Sequence, residues 1–405
     1  MFSAFQFEAQ MEEVKAAWSA RGVEDCRRLL EEKRDEWKNV SLNVAVIGNS
    51  GVGKSSFINA IRRLTGDDEG AAAVGVKETT LDVRSYTHPD NEMLKFWDLP
   101  GVGSNEFPKA TYLSRIDVDR YDFFLLITAD RFTENDTWLG NEFRKRKKKY
   151  FFVRTKIDVD ISNNNKSHPS THDEEAVINE IRESTASHLK ANGFSDVPMF
   201  LIDNYELQKF QFAELEQQLI NDFPDLKRSA LILSLRSTSE KMVQVKVKEL
   251  RRWIWITAAL SGFVAAAPVP GLSVGVDMAL TAEETHVYFT QLGLNRESLE
   301  RYAKSSSVDY DTLKDIVDSA LGIKAVGVSV IRWLPSFLVL LLPLTAATAA
   351  EEAAKTFLPI IGSVIAVPLS FGSTYLALTL ILDKFEKVAI EVNKFAAESI
   401  CTACT

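Results

Sequence analysis

Apolar and polar positions change their rhythm twice along this 405-residue chain, and each change predicts a different architecture. Up to about residue 39, apolar side chains such as Met11, Val14, Ala17 and Trp18 recur at helical spacing in a charged background. From Ser41 to Asp225, short β-rich runs take over at 42–47, 93–97, 123–127, 150–153 and 199–202, separated by polar stretches of helical period such as 174–191. Strands that alternate with helices predict βαβ units and a mostly parallel sheet. Beyond Lys227 the strand signals fade, and segments rich in alanine and leucine continue to the end. The pattern therefore divides into a helical segment at 1–40, an α/β domain at 41–225 and a helical domain at 226–405.

Three stretches within the last part, 253–276, 333–350 and 356–382, carry no formal charge and are long enough to span a bilayer. Each contains prolines (Pro268 and Pro270, Pro335 and Pro343, Pro359 and Pro368), which suit short, kinked helices packed against one another. Buried helical core is the expected reading, with an integral membrane protein as its alternative.

Composition narrows the function. A net charge of -9 excludes a protein whose main task is to coat nucleic acid, and no nucleic-acid partner is expected. Three cysteines, Cys26, Cys401 and Cys404, are too few for a disulfide framework and fit a reducing, cytoplasmic compartment. Phe2 stands where N-myristoylation needs glycine, whereas Cys401 and Cys404 could accept palmitate or belong to an inert tail. The six cations at 144–149 read as a solvated helix end, and His168 and His172 lack further ligands for a zinc site.

The candidate chemistry begins at Gly48-Asn49-Ser50-Gly51-Val52-Gly53-Lys54-Ser55, directly after the apolar run that ends at Ile47. A glycine-rich turn between a strand and a helix lets backbone N–H groups converge on phosphate oxygens, and the helix N-terminus adds positive potential. Lys54 would reach the outer phosphates, Ser55 would offer its hydroxyl to Mg²⁺, and Ser56 continues the site into the helix. The run at 93–97 ends in Asp98-Leu99-Pro100-Gly101, where Asp98 can hold the Mg²⁺ and Gly101 can present its N–H to a γ-phosphate. In the polar loop between them, Thr80 is the expected γ-phosphate and Mg²⁺ ligand, ahead of Thr79.

The base is read further on. Thr155-Lys156-Ile157-Asp158 follows the run at 150–153, and Asp158 can accept two hydrogen bonds from the N1 and N2 edge of guanine, which adenine does not offer. That selects GTP over ATP. Thr155 replaces the asparagine common at the first position of this motif, and Asp203-Asn204, after the last strand signal, would touch the base through backbone groups. Val102 occupies the place where many GTPases have a glutamine that orients the attacking water. Turnover by the isolated chain should then be slow unless Glu78, or Arg154 acting across a dimer, completes the site.

With these residues in place the chain resembles the immunity-related GTPases, a dynamin-like family. The matching stretches are GNSGVGKS at 48–55, FWDLPGVG at 96–103, YDFF at 121–124, FVRTKID at 152–158 and PVPGLSVGVD at 268–277, and Lys54 groups it with members that have lysine in the phosphate loop. The resemblance implies a Ras-like G domain inserted into a helical domain built from both ends of the chain. It also implies GTP hydrolysis to GDP, a role for Glu78, and pairing of G domains face to face. Higher oligomers and peripheral action on intracellular membranes (endoplasmic reticulum, Golgi, vacuole or phagosome) in cell-autonomous defence complete the expectation. The alternative is a slow GTP-dependent switch that recruits one partner through its helical domain.

Overall fold

The computed structural model describes residues 13, 16, 23–75, 82–89, 91–102, 107–129, 132–207, 209–235, 237, 239–265, 272–306, 308–341 and 368–403. The chain divides into two compact units, one formed by Lys38–Leu235 and the other by Met1–Trp37 with Arg236–Thr405.

The first unit is an α/β layer structure. Its strands are β1 (Leu42–Ile47), β2 (Arg84–His88), β3 (Asn91–Asp98), β4 (Phe123–Thr128), β5 (Lys149–Arg154) and β6 (Met199–Leu201), in the spatial order β2-β3-β1-β4-β5-β6. Among the described strands only β2 runs antiparallel; it pairs with β3 from Arg84↔Asp98 to His88↔Asn91. β2 falls outside the strand signals at 42–47, 93–97, 123–127, 150–153 and 199–202. Pairing with β3 across the turn at Pro89, rather than local composition, sets which of the described residues join the sheet here. Strands β1 and β4 read as continuous apolar runs because both faces are covered: Val44 to Ile47 and Phe123 to Ile127 all have 0% exposure.

The helices of this unit are α1 to α7: Lys54–Ile61, Lys109–Arg115, Glu134–Lys145, Ile157–Ser167, Glu174–Ala191, Phe212–Asp222 and Asp225–Ser234. Aromatic rings lock α3 onto the sheet, with Phe143 stacked on Phe124 at 4.2 Å between centroids and Phe194 packed edge-on against Phe152 at 5.4 Å. Gly140 on α3 leaves room for that packing, since a Cβ there would sit 2.8 Å from the Phe194 ring. In this order the chain leaves β1 for β3 on one side and β4 on the other. The crevice beyond the carboxyl end of β1 is thus a topological switch point, where open α/β sheets bind ligands.

Among the described residues of the second unit the helices are α8 to α14: Val23–Asp35, Glu240–Ala265, Leu272–Gln291, Arg296–Ser306, Tyr310–Leu321, Val330–Leu341 and Pro368–Ala403. Leu30, Trp253, Trp255, Ile256, Ala258, Ala259, Leu260 and Phe371 form one buried cluster here. The described part of the apolar stretch at 253–276 thus supplies core, and none of the described helices is long and apolar enough to cross a membrane. Residues 342–350 and 356–367 of the other two stretches lie outside the described residues.

The cations at 144–149 straddle the end of α3 and the start of β5. Lys145 and Arg146 pair with Glu142, Arg144 with Asp196, and Lys148 with Asp119, while Lys149 donates to the carbonyl of Asp222. Hydrogen bonds from Lys145, together with Arg146, hold the Glu142 carboxyl below its usual range. Local acids thus neutralise much of the run.

Candidate functional site

The turn from β1 into α1 can take its course only with glycine at particular places. A Cβ on Gly48 would lie 2.1 Å from the carbonyl oxygen of Ile127 on β4, and Gly51 and Gly53 hold φ of 78° and 92°, in the left-handed region. Gly48→Ala is expected to cost about 2–3 kcal/mol by overpacking, which lowers the midpoint of thermal unfolding by roughly 5–10 °C. Differential scanning calorimetry checks this; an unchanged midpoint would refute the close approach.

Inside the turn, Lys54 is buried and its Nζ donates to the carbonyl oxygens of Gly48 (3.1 Å) and Asn49 (3.0 Å). The ammonium is thereby fixed at the phosphate loop before any ligand is considered. One residue on, Ser55 Oγ donates to Asp98 Oδ2 at 2.7 Å, and Asp98 is only 1% exposed at the end of β3. A hydroxyl in the first turn of α1, in contact with a carboxylate at the end of β3, forms the oxygen donor set that a hard divalent cation takes. The residues present therefore fit Mg²⁺. Gly101 completes this side, since a Cβ there would lie 3.5 Å from both the Gly48 oxygen and the Ser50 nitrogen, which places its peptide against the phosphate loop.

Two other loops are tied to the same turn. Thr155, with no exposed surface, donates through Oγ1 to the carbonyl of Val52 at 2.6 Å, and Asn204 Nδ2 donates to the carbonyl of Gly53 at 3.3 Å. Threonine thus serves where asparagine is usual, because the hydroxyl alone spans from the base-reading loop to the phosphate loop. Lys156, with φ of 59°, caps α4, and Asp158 stands exposed in its first turn. Asp203 is buried, and its Oδ1 accepts from the Tyr205 N–H at 2.7 Å. Burial, reinforced by the charge of Asp158, raises the Asp203 carboxyl above its ordinary range. The two acids are near enough to sense each other, one solvated and one enclosed.

Of the residues singled out in the sequence, the fold brings Gly48, Asn49, Ser50, Gly51, Val52, Gly53, Lys54, Ser55, Asp98, Gly101, Thr155 and Asn204 together around one turn. Ser56 follows in the first turn of α1, partly buried. Glu78, Thr79 and Thr80 lie outside the described residues. Arg154 is placed at the end of β5, only 7% exposed, with Nη2 paired to Asp160 Oδ2 at 2.6 Å. A role across a dimer would require its guanidinium to leave that pair. Val102 is likewise turned inward, 6% exposed within an apolar cluster that includes Leu99 and Tyr112.

Thr133 was not expected here. It caps α3, accepting from Asp136 N–H at 3.4 Å while Asp136 Oδ2 accepts from Thr133 N–H at 2.8 Å, and Asn49 Nδ2 donates to its Oγ1 at 3.2 Å. The signal was present in the sequence as Thr133-Glu134-Asn135-Asp136, a capping box at the head of a helix.

A family model described as interferon-inducible GTPase matches residues 8–324. Interferon-inducible GTPase 5 of Rattus norvegicus is 33% identical over 392 residues, covering 96% of this chain and 83% of that protein. Interferon-inducible GTPase 1 of Mus musculus is 36% identical over 278 residues, covering 69% and 67%. Among solved structures, an oligomerised bacterial dynamin pair overlaps 98% of this chain and 77% of its own at 12% identity, with a TM-score of 0.36. That overlap is too loose to carry function.

Proposed function

The chain belongs to the interferon-inducible GTPase family and is a GTP-hydrolysing protein; from that premise we propose that it binds GTP at the turn after β1, assembles with itself in the GTP state, and acts at intracellular membranes in innate immune defence. The observation that carries the nucleotide site is the gathering of Lys54, Ser55 and Asp98 at one turn, fastened to the loops before α4 and after β6 through Thr155 and Asn204. Lys54 would exchange its two carbonyl acceptors for phosphate oxygens, a charge-assisted and stronger partner. The N–H groups of Gly51, Gly53 and the start of α1 would wrap the β-phosphate. Asp158 would accept from the guanine edge, with the enclosed Asp203 and Asn204 forming the wall beside it.

Ser55 and Asp98 would hold Mg²⁺, and Thr80 would join them; bound there, the ion would neutralise charge on the phosphate oxygens. The Val102 side chain has no polar atom and lies in the core, so it does not orient water. Glu78, or a residue delivered by a second G domain, would have to do so. Hydrolysis should therefore accelerate as chains meet.

The test is GTP turnover per molecule against protein concentration, with and without liposomes. A rate that rises with concentration, and further with liposomes, supports the proposal; a rate independent of both overturns self-assembly and membrane action. The buried Val102 also favours a second reading, a slow switch that recruits one partner and barely self-associates. Light scattering that stays flat after addition of GTP would select it.

A further inference from the structure

The Gly101 peptide is held from both sides by side chains that neither the motif nor the nucleotide chemistry assigns. On its N-terminal side, Tyr112 Oη donates to the carbonyl oxygen of Pro100 at 2.6 Å. On its C-terminal side, Asn135 Nδ2 donates to the carbonyl oxygen of Val102 at 3.0 Å. Upstream, Leu99 N–H donates to Val46 O at 3.0 Å, continuing the β1–β3 ladder to the very start of the loop. The stretch from Leu99 to Val102 is thus pinned at three points, and Gly101 lies between the last two.

Both donors are rigidly mounted. Tyr112 on α2 has no exposed surface, and its ring meets those of Phe107 and Trp138 edge-on at 6.1 and 6.4 Å. Asn135 belongs to the capped first turn of α3, the same turn whose Thr133 accepts from Asn49 of the phosphate loop. The head of α3 therefore touches both loops that would contact the terminal phosphate. Burial, with smaller contributions from Tyr121 and Asp98, raises the Tyr112 phenol well above its ordinary range, so it stays a donor at any pH the protein meets.

We propose that Tyr112 and Asn135 are positioning residues that fix the Gly101 amide for a γ-phosphate, so that they set the preference for GTP over GDP without touching either nucleotide. This rests on the nucleotide site proposed above. The β-phosphate is held by the turn after β1, which neither side chain anchors at Gly101. Loosening that amide should therefore weaken triphosphates alone. A purely structural pair would weaken both nucleotides together.

The experiment measures dissociation constants for GDP and a non-hydrolysable GTP analogue, in magnesium buffer, for the unaltered chain, Tyr112→Phe and Asn135→Ala. Tyr112→Phe keeps the ring packing, and Asn135 is only half-buried, so a thermal midpoint close to that of the unaltered chain checks that each variant folds. Each variant should bind the GTP analogue about five- to tenfold more weakly, the scale of one lost hydrogen bond, while GDP affinity changes less than about twofold. Equal losses for both nucleotides, or no loss for either in both variants, would overturn the clamp. An unaltered chain that binds no guanine nucleotide would instead overturn the site itself, together with anything built on it.

Discussion

Lys54→Ala is expected to lower affinity for GDP and GTP by about a hundredfold or more, leaving no measurable turnover at micromolar nucleotide. Truncating one partner of an enclosed charge pair costs roughly 2–5 kcal/mol, and every ten-fold loss in affinity is about 1.4 kcal/mol. The fold should survive. In the free chain Lys54 donates to the carbonyl oxygens of Gly48 and Asn49, and the turn around it is independently held by Thr155 on Val52 and Asn204 on Gly53. Equilibrium binding with a fluorescent guanine nucleotide, alongside a thermal melt, separates the two effects. A variant that binds normally would mean that the phosphates sit elsewhere.

Asp158→Asn should change which base is accepted. A carboxylate takes two hydrogen bonds from the N1–H and N2–H₂ edge of guanine; an amide at that place offers one acceptor and a donor that faces the amino group. Hydrogen bonds to a charged partner are worth about 1.5–3 kcal/mol each, so GTP affinity should fall by roughly a hundredfold. Xanthosine triphosphate, which carries a carbonyl oxygen in place of the amino group, should gain on it. Asp158 is exposed in the first turn of α4, so the substitution should leave stability nearly unchanged. Competition between the two nucleotides measures the switch; unchanged preference would remove Asp158 from the base site.

These expectations begin with features that need no tertiary information. The run from Leu42 to Ile47 is apolar throughout except for Asn43, and glycines at 48, 51 and 53 follow at once, so strand, turn and helix are legible from neighbouring residues. The parallel sheet is legible for the same reason, because strands covered on both faces must be continuously apolar. Two features were hidden. The antiparallel β2 escapes the pattern because its ends are set by register with β3 across a turn, and Tyr86 and Thr87 look alike to any local rule.

The attachments of the phosphate loop were hidden more deeply. Thr155 to Val52 spans 103 positions, Asn204 to Gly53 spans 151, and Asn49 to Thr133 spans 84. No periodicity connects such pairs; only the order of strands in the sheet brings their loops to one end. Thr155 departs from the asparagine common at its place in the base motif, yet its small, buried hydroxyl reaches the Val52 carbonyl directly. The inward turn of Val102 was half visible, since valine names itself apolar but does not disclose that it joins Leu99 and Tyr112 in the core.

The central claim is that the lysine, hydroxyl and carboxylate assembled after β1 hold the phosphates of a nucleotide whose base is guanine. Isothermal titration of the full chain with GDP and, separately, ADP in magnesium buffer tests it most directly. The account predicts one-site binding of GDP and affinity for ADP at least about a hundredfold weaker, as expected when the guanine edge supplies two charge-assisted hydrogen bonds. Folded protein that takes up no GDP, or binds ADP equally well, would contradict it.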